Sequence, residues 1–244
     1  MRTVAVIPLR GLANGKRRLS GILPNRVRRA LILALAAHVT DAIYDSQAVA
    51  ATVIVSPDVA VLRWAEARGL IALHQTNTGL NAGLWQATSW ARERHFDAMI
   101  TLHADLPLLT ADHVRALVEM LGTPPSPQAK GSCGSAVVVG DRHAHGTTGL
   151  AMQPLGALPF HFGEQSYTRH IIAGEAHQLR MMPYQSREVG FDLDTPRDLR
   201  DLALWHPVGF ARLVSGVLAW LPRLPVAIPS PSPATSYPAG EGQG

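Results

Sequence analysis

Ala98-Met99-Ile100-Thr101-Leu102-His103-Ala104-Asp105-Leu106-Pro107 is the stretch on which the fold turns. Ala98–Leu102 carries no charge and reads as a buried strand, and Asp105-Leu106-Pro107 breaks it. The same pattern repeats upstream. Thr3–Ile7 is a short β-branched run ending at Pro8, Ala51–Ser56 is a second strand and Leu70–His74 a third. Helical periodicity fills the intervals: Arg26–Tyr44, the segment from Pro57 to about Arg68, Leu80–Arg94 and, beyond the quoted stretch, Ala111–Leu121. This alternation predicts an α/β fold, Rossmann-like, with a mixed, mostly parallel sheet and helices on both faces. Ligands of such sheets bind beyond the carboxyl ends of the strands, so the loops after the first and fourth strands are the places to seek chemistry.

The second half is less regular. Thr123–Ser132 reads as a Pro/Gly/Ser loop, Ala136–Val139 and Gly149–Met152 as strands, and Phe162–Ala173 as a loop entering a helix. Glu188–Phe191 is expected to be the last strand and Thr195–Leu204 the last helix, with Pro196 in its first turn. Residues 1–205 form the expected catalytic domain, and 206–244 an extension. The extension begins with an apolar helical stretch, Phe210–Leu221, and ends in a Pro/Ser/Gly-rich tail expected to be disordered.

Of 244 residues, 47% are hydrophobic and 16% charged, which suits a packed core and excludes a chain disordered throughout. A formal charge of +4 is too small an excess to indicate nucleic-acid binding. A single cysteine, Cys133, leaves no internal disulfide and fits a reducing compartment. The apolar run before Pro8 is too short for a signal peptide, and Ala30–Val39 is shorter than the roughly 20 apolar residues of a membrane span. A cytoplasmic protein with no membrane partner is expected.

Several clusters could carry chemistry. The loop Pro8-Leu9-Arg10-Gly11 to Lys16-Arg17-Arg18-Leu19 joins glycines to cations that suit a polyphosphate, although its spacing is not that of a Walker A loop. Asp105, just past a buried strand, can reach a metal ion or serve as a turn residue. In Asp192-Leu193-Asp194-Thr195-Pro196, Asp194 or Thr195 could cap the following helix; Asp192 is assigned to metal and Asp194 to capping. Magnesium takes few carboxylates along with phosphates and water, so Asp105 and Asp192 suffice. Asp141-Arg142-His143-Ala144-His145-Gly146-Thr147-Thr148 and Phe162-Gly163-Glu164-Gln165-Ser166 are rich in donors, and Gly163 and Ser166 open a helix whose free N–H groups favour anions. Thr78-Gly79-Leu80-Asn81 could admit a base through Gly79 and offer it the Asn81 amide, or simply start a helix. Neither a zinc motif nor a G-x-S-x-G elbow is present.

Taken together, P-L-R…K-R-R-L, V-S-P-D, G-L-N-A-G-L, A-D-L-P-L, D-R-H-x-x-G-T, F-G-x-x-S and D-L-D-T-P resemble the 2-phospho-L-lactate guanylyltransferase family. That family serves coenzyme F-420 biosynthesis within the molybdenum-cofactor-type nucleotidyltransferase superfamily, whose fold is of the nucleotide-diphospho-sugar transferase type. The resemblance runs from about Val4 to Leu204. It implies a guanylyltransferase with Pro8, Leu9, Lys16, Gly79 and Asn81 at the nucleotide, Lys16 on its phosphates. Asp105 and Asp192 would be the Mg2+ ligands, and Thr147, Thr148, Gly163 and Ser166 would lie at a phosphorylated three-carbon acid. The implied partners are GTP and that acid. A homodimer is one option, and the product would pass to a downstream biosynthetic transferase. His145 and Thr148 depart from the family pattern. An added donor at His145 favours 3-phospho-D-glycerate over 2-phospho-L-lactate or phosphoenolpyruvate. Rival readings are a molybdopterin or sugar-phosphate nucleotidyltransferase of the same fold, or a non-catalytic nucleotide-binding module.

Overall fold

A computed structural model of the chain describes residues 1–13, 15–122 and 133–224. Seven strands form one sheet in the order β3-β2-β1-β4-β6-β5-β7. They are β1 Thr3–Pro8, β2 Ala51–Ser56, β3 Ile71–His74, β4 Ala98–Leu102, β5 Ser135–Gly140, β6 Thr147–Gln153 and β7 Arg180–Tyr184. β1 pairs in parallel with β2 and β4, and β2 with β3. β6 runs against both of its neighbours, β4 and β5, while β7 lies parallel to β5. The sheet is therefore mixed and mostly parallel, as the alternation predicts.

Helices cover both faces. They are α1 Asn25–Ser46, α2 Val59–Ala67, α3 Leu80–Glu93, α4 Ala111–Gly122, α5 Ser166–Ala176, α6 Pro196–Trp205 and α7 Pro207–Trp220. Strand alternation divides the core between the faces. Ala5 and Ile7 of β1 pack with Ile54 and Ile100 against α1, α2 and α4. Val4 and Val6 pack with Val53 and Met99 against α3, where Leu84, Ala87 and Ala91 are buried. Because β1 and β4 are buried on both faces, they read as unbroken apolar runs.

The first part of the extension lies on the domain. Leu213 of α7 joins Leu31 and Leu35 of α1 in a third cluster, Trp220 meets Trp64 edge-on at 6.3 Å between ring centroids, and Leu224 is buried in the main core. The Thr123–Ser132 loop and the tail from Pro225 fall outside the described residues. Among those described, no helix is long and apolar enough to cross a membrane.

Two expectations fail. Glu188–Phe191 is not a strand: Glu188 N and Val189 N donate to Ser186 Oγ, and Gly190 N to Ser186 O, so these amides close a turn instead of a ladder. The last strand is β7, Arg-Met-Met-Pro-Tyr, which lacks β-branched residues and contains Pro183. It stands at the sheet edge, where proline is tolerated, and offers little strand signal.

At Gly216 a Cβ would approach the Ala34 Cβ to 3.2 Å, so α7 and α1 pack closely there. Gly216→Leu should lower stability by about 1–3 kcal/mol through overpacking. The exposed neighbour Ser215→Leu should change it by less than about 0.5 kcal/mol. Urea denaturation of the two variants measures the difference.

Candidate active site

β1 and β4 are neighbours with Val6 opposite Thr101, so the loops that follow them emerge at one sheet edge. Together with the loop before α6 they wall a cavity of about 470 Å3. Pro8, Leu9, Arg10, Gly11, Gly15 and Lys16 come from the first loop, with Arg17 and Arg18 beyond it. His103, Ala104 and Asp105 come from the second, Asp192 and Asp194 from the third, and Leu80 from the start of α3.

The basic loop is built for close approach. Leu9 N donates to Val55 O at 2.9 Å, and Leu12 N donates to Asp58 Oδ2 at 2.8 Å. The other Asp58 oxygen caps α2 by accepting from Ala60 N. A side chain at Gly15 would collide with Ile32. Lys16 itself has φ 52, a left-handed conformation that costs a non-glycine residue about 1–2 kcal/mol. Such strain is characteristic of functional positions.

That conformation aims the Lys16 ammonium at two carboxylates. Nζ lies 2.6 Å from Asp105 Oδ2 and 2.7 Å from Asp194 Oδ1, and the side chain is only 8% exposed. Arg18 stands 3.9 Å from the other Asp194 oxygen. Burial alone would lower the Lys16 pKa, but Asp105 and Asp194 overcome it and raise the value above normal. Burial likewise pushes Asp105 upward, and the Lys16 charge reverses that, holding Asp105 below the ordinary carboxylate value. Asp192 differs. Burial, then the charges of Asp105 and Asp194, push its pKa up to about 6.

The loop carrying Asp192 and Asp194 is pinned from several sides. Leu193 N donates to Asp105 O at 3.0 Å, which sets the two aspartates on either side of that contact. Asp198 Oδ2 accepts from Asp194 N at 2.8 Å and Thr195 N at 2.6 Å. Asp198 is in turn paired with Arg142, whose guanidinium lies 4.6 Å from the Phe191 ring centroid and whose N–H donates to Gly190 O. Thr195, not Asp194, caps α6 in a reciprocal capping box with Asp198. The expected capping role of Asp194 is therefore wrong, because its side chain is engaged with Lys16. The T-x-x-D spacing of Thr195 and Asp198 carried that signal in the sequence. Nothing local marked Arg142 or Asp58 as supports, since their partners are 56 and 46 residues away.

The residues expected at the acceptor gather next to this cluster and are not part of the cavity wall. Thr147 Oγ1 is 3.0 Å from His170 Nδ1, and Thr148 Oγ1 donates to Val189 O at 2.9 Å; both threonines are buried. His170 Nε2 accepts from His161 N, and burial lowers its pKa to about 4, so the ring is neutral. Ser166 is buried at the start of α5, and Gly163, at φ 128, faces open space. His145 is exposed, and its backbone N–H donates to Asp141 Oδ1 at 3.0 Å. Asn81 donates to Phe162 O and accepts from Phe162 N, so its amide edge ties α3 to the loop before α5. Those two bonds occupy the edge expected to read a base. Gly79, at φ 102, is the residue that allows α3 to begin there. His103 joins the two groups: its N–H donates to Thr148 O at 2.9 Å, and its Nδ1 lies 4.0 Å from Asp105 Oδ1.

Could these residues hold a divalent cation? Asp105 Oδ1 is buried with no hydrogen-bond partner, and burial together with like-charged neighbours raises the Asp192 pKa. An oxygen-liganded cation would remedy both defects, so the donor set fits magnesium. Among the described residues no three His, Cys, Asp or Glu side chains enclose a metal on their own. Magnesium does not need three, because it accepts one or two carboxylates with substrate phosphates and water.

A mixed sheet with a basic loop, acidic residues at its carboxyl edge and a cavity between them suits a protein that binds nucleotide phosphates. Solved structures share the fold. CMP:2-keto-3-deoxy-manno-octonic acid synthetase complexed with CTP superposes with a TM-score of 0.55 at 13% identity, covering 85% of this chain and 99% of that one. A nucleotidyl transferase from Methanothermobacter thermautotrophicus gives 0.55 at 14% identity, over 82% and 95%. The family is narrower. The chain belongs to the guanylyl transferase CofC-like family, whose model matches residues 3–210. A phosphoenolpyruvate guanylyltransferase from Sphaerobacter thermophilus is 38% identical over 216 residues, 88% of this chain and 100% of that protein. A 2-phospho-L-lactate guanylyltransferase from Methanothermobacter thermautotrophicus is 28% identical over 205 residues, 84% of this chain and 85% of that protein.

The raised Asp192 pKa makes the ionised group a cost to the metal-free fold. An unfolded aspartate titrates near 3.8, so stability falls as pH rises from about 4 to 6 and stays reduced above that. In chelator at pH 7, Asp192→Asn should be more stable than the wild type by about 1–2 kcal/mol. The gain should disappear near pH 4. Thermal melts across that range measure it.

Proposed function

We propose that this protein transfers GMP from GTP to a phosphorylated three-carbon acid, releasing pyrophosphate, and that it does so in coenzyme F-420 biosynthesis. The observation that carries the reading is the cluster of Asp105, Asp192 and Asp194 around Lys16, beside a loop bearing Arg10, Arg17 and Arg18. A cavity with acid on one wall and cations on the other suits a nucleoside triphosphate bound with a divalent ion.

An oxygen of the acceptor phosphate attacks the α-phosphorus of GTP, forming a new P–O bond. The bond to the β-phosphate breaks, and pyrophosphate leaves with its electron pair. The acceptor monoester is mostly dianionic at neutral pH, its second pKa being about 6, so no strong base is required. The protein's task is alignment and charge neutralisation. Lys16 and the neighbouring arginines would hold the triphosphate. Asp105 and Asp192 would hold magnesium, which supplies Lewis-acid neutralisation of the phosphate oxygens.

Phosphoenolpyruvate is the favoured acceptor, and 2-phospho-L-lactate is second. Support comes from the names of the relatives, the former at 38% identity and the latter at 28%. The case for 3-phospho-D-glycerate rests on His145. That residue is exposed, and the relatives' names favour the other two acids.

The full chain, incubated with GTP, magnesium and each acid separately, should release pyrophosphate fastest with phosphoenolpyruvate. Asp105→Asn should lower kcat by about a thousandfold or more. Absence of release with all three acids would sink this reading.

A further inference from the structure

Lys16 and Lys130 are the two lysines among 22 basic residues, so the chain uses arginine almost everywhere else. The choice at position 16 has a physical meaning. Guanidinium is a flat fork that grips one carboxylate with two parallel bonds, whereas ammonium is a compact charge that can serve separate oxygens at once. Lys16 does the latter. Its Nζ bridges Asp105 and Asp194, which belong to loops 89 residues apart in sequence, at 2.6 and 2.7 Å. A small cation with oxygen ligands makes the same kind of bridge. The remaining Asp105 oxygen, Oδ1, is buried without a partner.

We propose that Lys16 is the resident cation of the carboxylate site, competing with the divalent metal for Asp105, so that metal binding releases its ammonium towards the nucleotide phosphates. The inference rests on the reading of Asp105 as a metal ligand. Two of the ammonium's three N–H donors are spent on the carboxylates, whose charge also offsets its own, so it holds a triphosphate strongly only after leaving Asp105. Metal binding makes Lys16 available to phosphate, and phosphate binding makes Asp105 available to metal. The two ligands therefore bind with positive coupling, which by linkage is equal in both directions. The strained backbone of Lys16 presents the ammonium to the carboxylates until that exchange.

The test uses Mn2+ as the metal probe and the full chain freed of metal. Free Mn2+ is followed by electron paramagnetic resonance, without nucleotide and then with GTP but no acceptor. Without nucleotide, Lys16→Met should bind Mn2+ about tenfold more tightly than the wild type, since the competing cation is gone. GTP should tighten Mn2+ binding in the wild type by a larger factor than in the variant. Lys16→Gln, which keeps a donor but no charge, should behave like Lys16→Met and serves if the latter fails to fold. In the wild type, Mn2+ should also speed acylation of Lys16 by an amine-reactive reagent, read by mass spectrometry with Lys130 as the internal reference. Equal or weaker Mn2+ binding by folded Lys16 variants, with Mn2+–GTP binding intact in the wild type, overturns the competition and leaves the proposed function standing. Absence of Mn2+ binding even with GTP overturns both.

Discussion

Two aspartates held on a single buried ammonium, with a third beside them, are the constraint to which the rest of the site answers. Asp105, Asp192 and Asp194 come from two loops, and burial opposes the charge on Asp105 and Asp192. Left to themselves they would separate or take up protons. Lys16 prevents this for Asp105 and Asp194 by direct contact. Asp192 has no such contact and is held in place through its backbone. The Leu193–Asp105 hydrogen bond and the Asp198 carboxylate, itself paired with Arg142, fix the loop. Replacing a buried pair such as Arg142–Asp198 with apolar residues often stabilises a fold, so its value here is in specifying where a charged loop sits.

This arrangement also explains how the sheet serves the chemistry. β1 and β4 are central and rigid, buried on both faces, and they present Lys16 and Asp105 from adjacent strand ends. The reversed strand β6 comes next and brings Thr148 into contact with His103. The residues implied for acceptor binding thus stand one strand away from the carboxylates, around the start of α5. The order of the sheet sets the order of the proposed ligands: nucleotide at β1, metal at β4, acid at β6.

Much of this was legible in the sequence, and the limits have physical causes. Buried parallel strands announce themselves as apolar runs, so β1, β2 and β4 were placed to within a residue or so. Glu188–Phe191 looked equally strand-like, but Ser186 captured its amides in a turn, a local competition that apolar pattern does not register. β7 was missed because an edge strand with proline carries little of that pattern. At the site, Lys16, Asp105 and Asp192 could be chosen by loop position and by family resemblance. Asp194 could not be assigned correctly, because a carboxylate before Thr-Pro fits a helix cap as well as an ion pair. Arg142, Asp198 and Asp58 act through partners distant in sequence, so their roles emerge only when the chain is folded.

The most direct test of metal binding at this site is a crystal of the full chain soaked with Mn2+ and GTP, with data collected at the manganese edge. An anomalous peak is expected at about 2.2 Å from carboxylate oxygens of Asp105 and Asp192, with phosphate oxygens completing the shell. A peak elsewhere, or none while GTP is bound in the cavity, would contradict it.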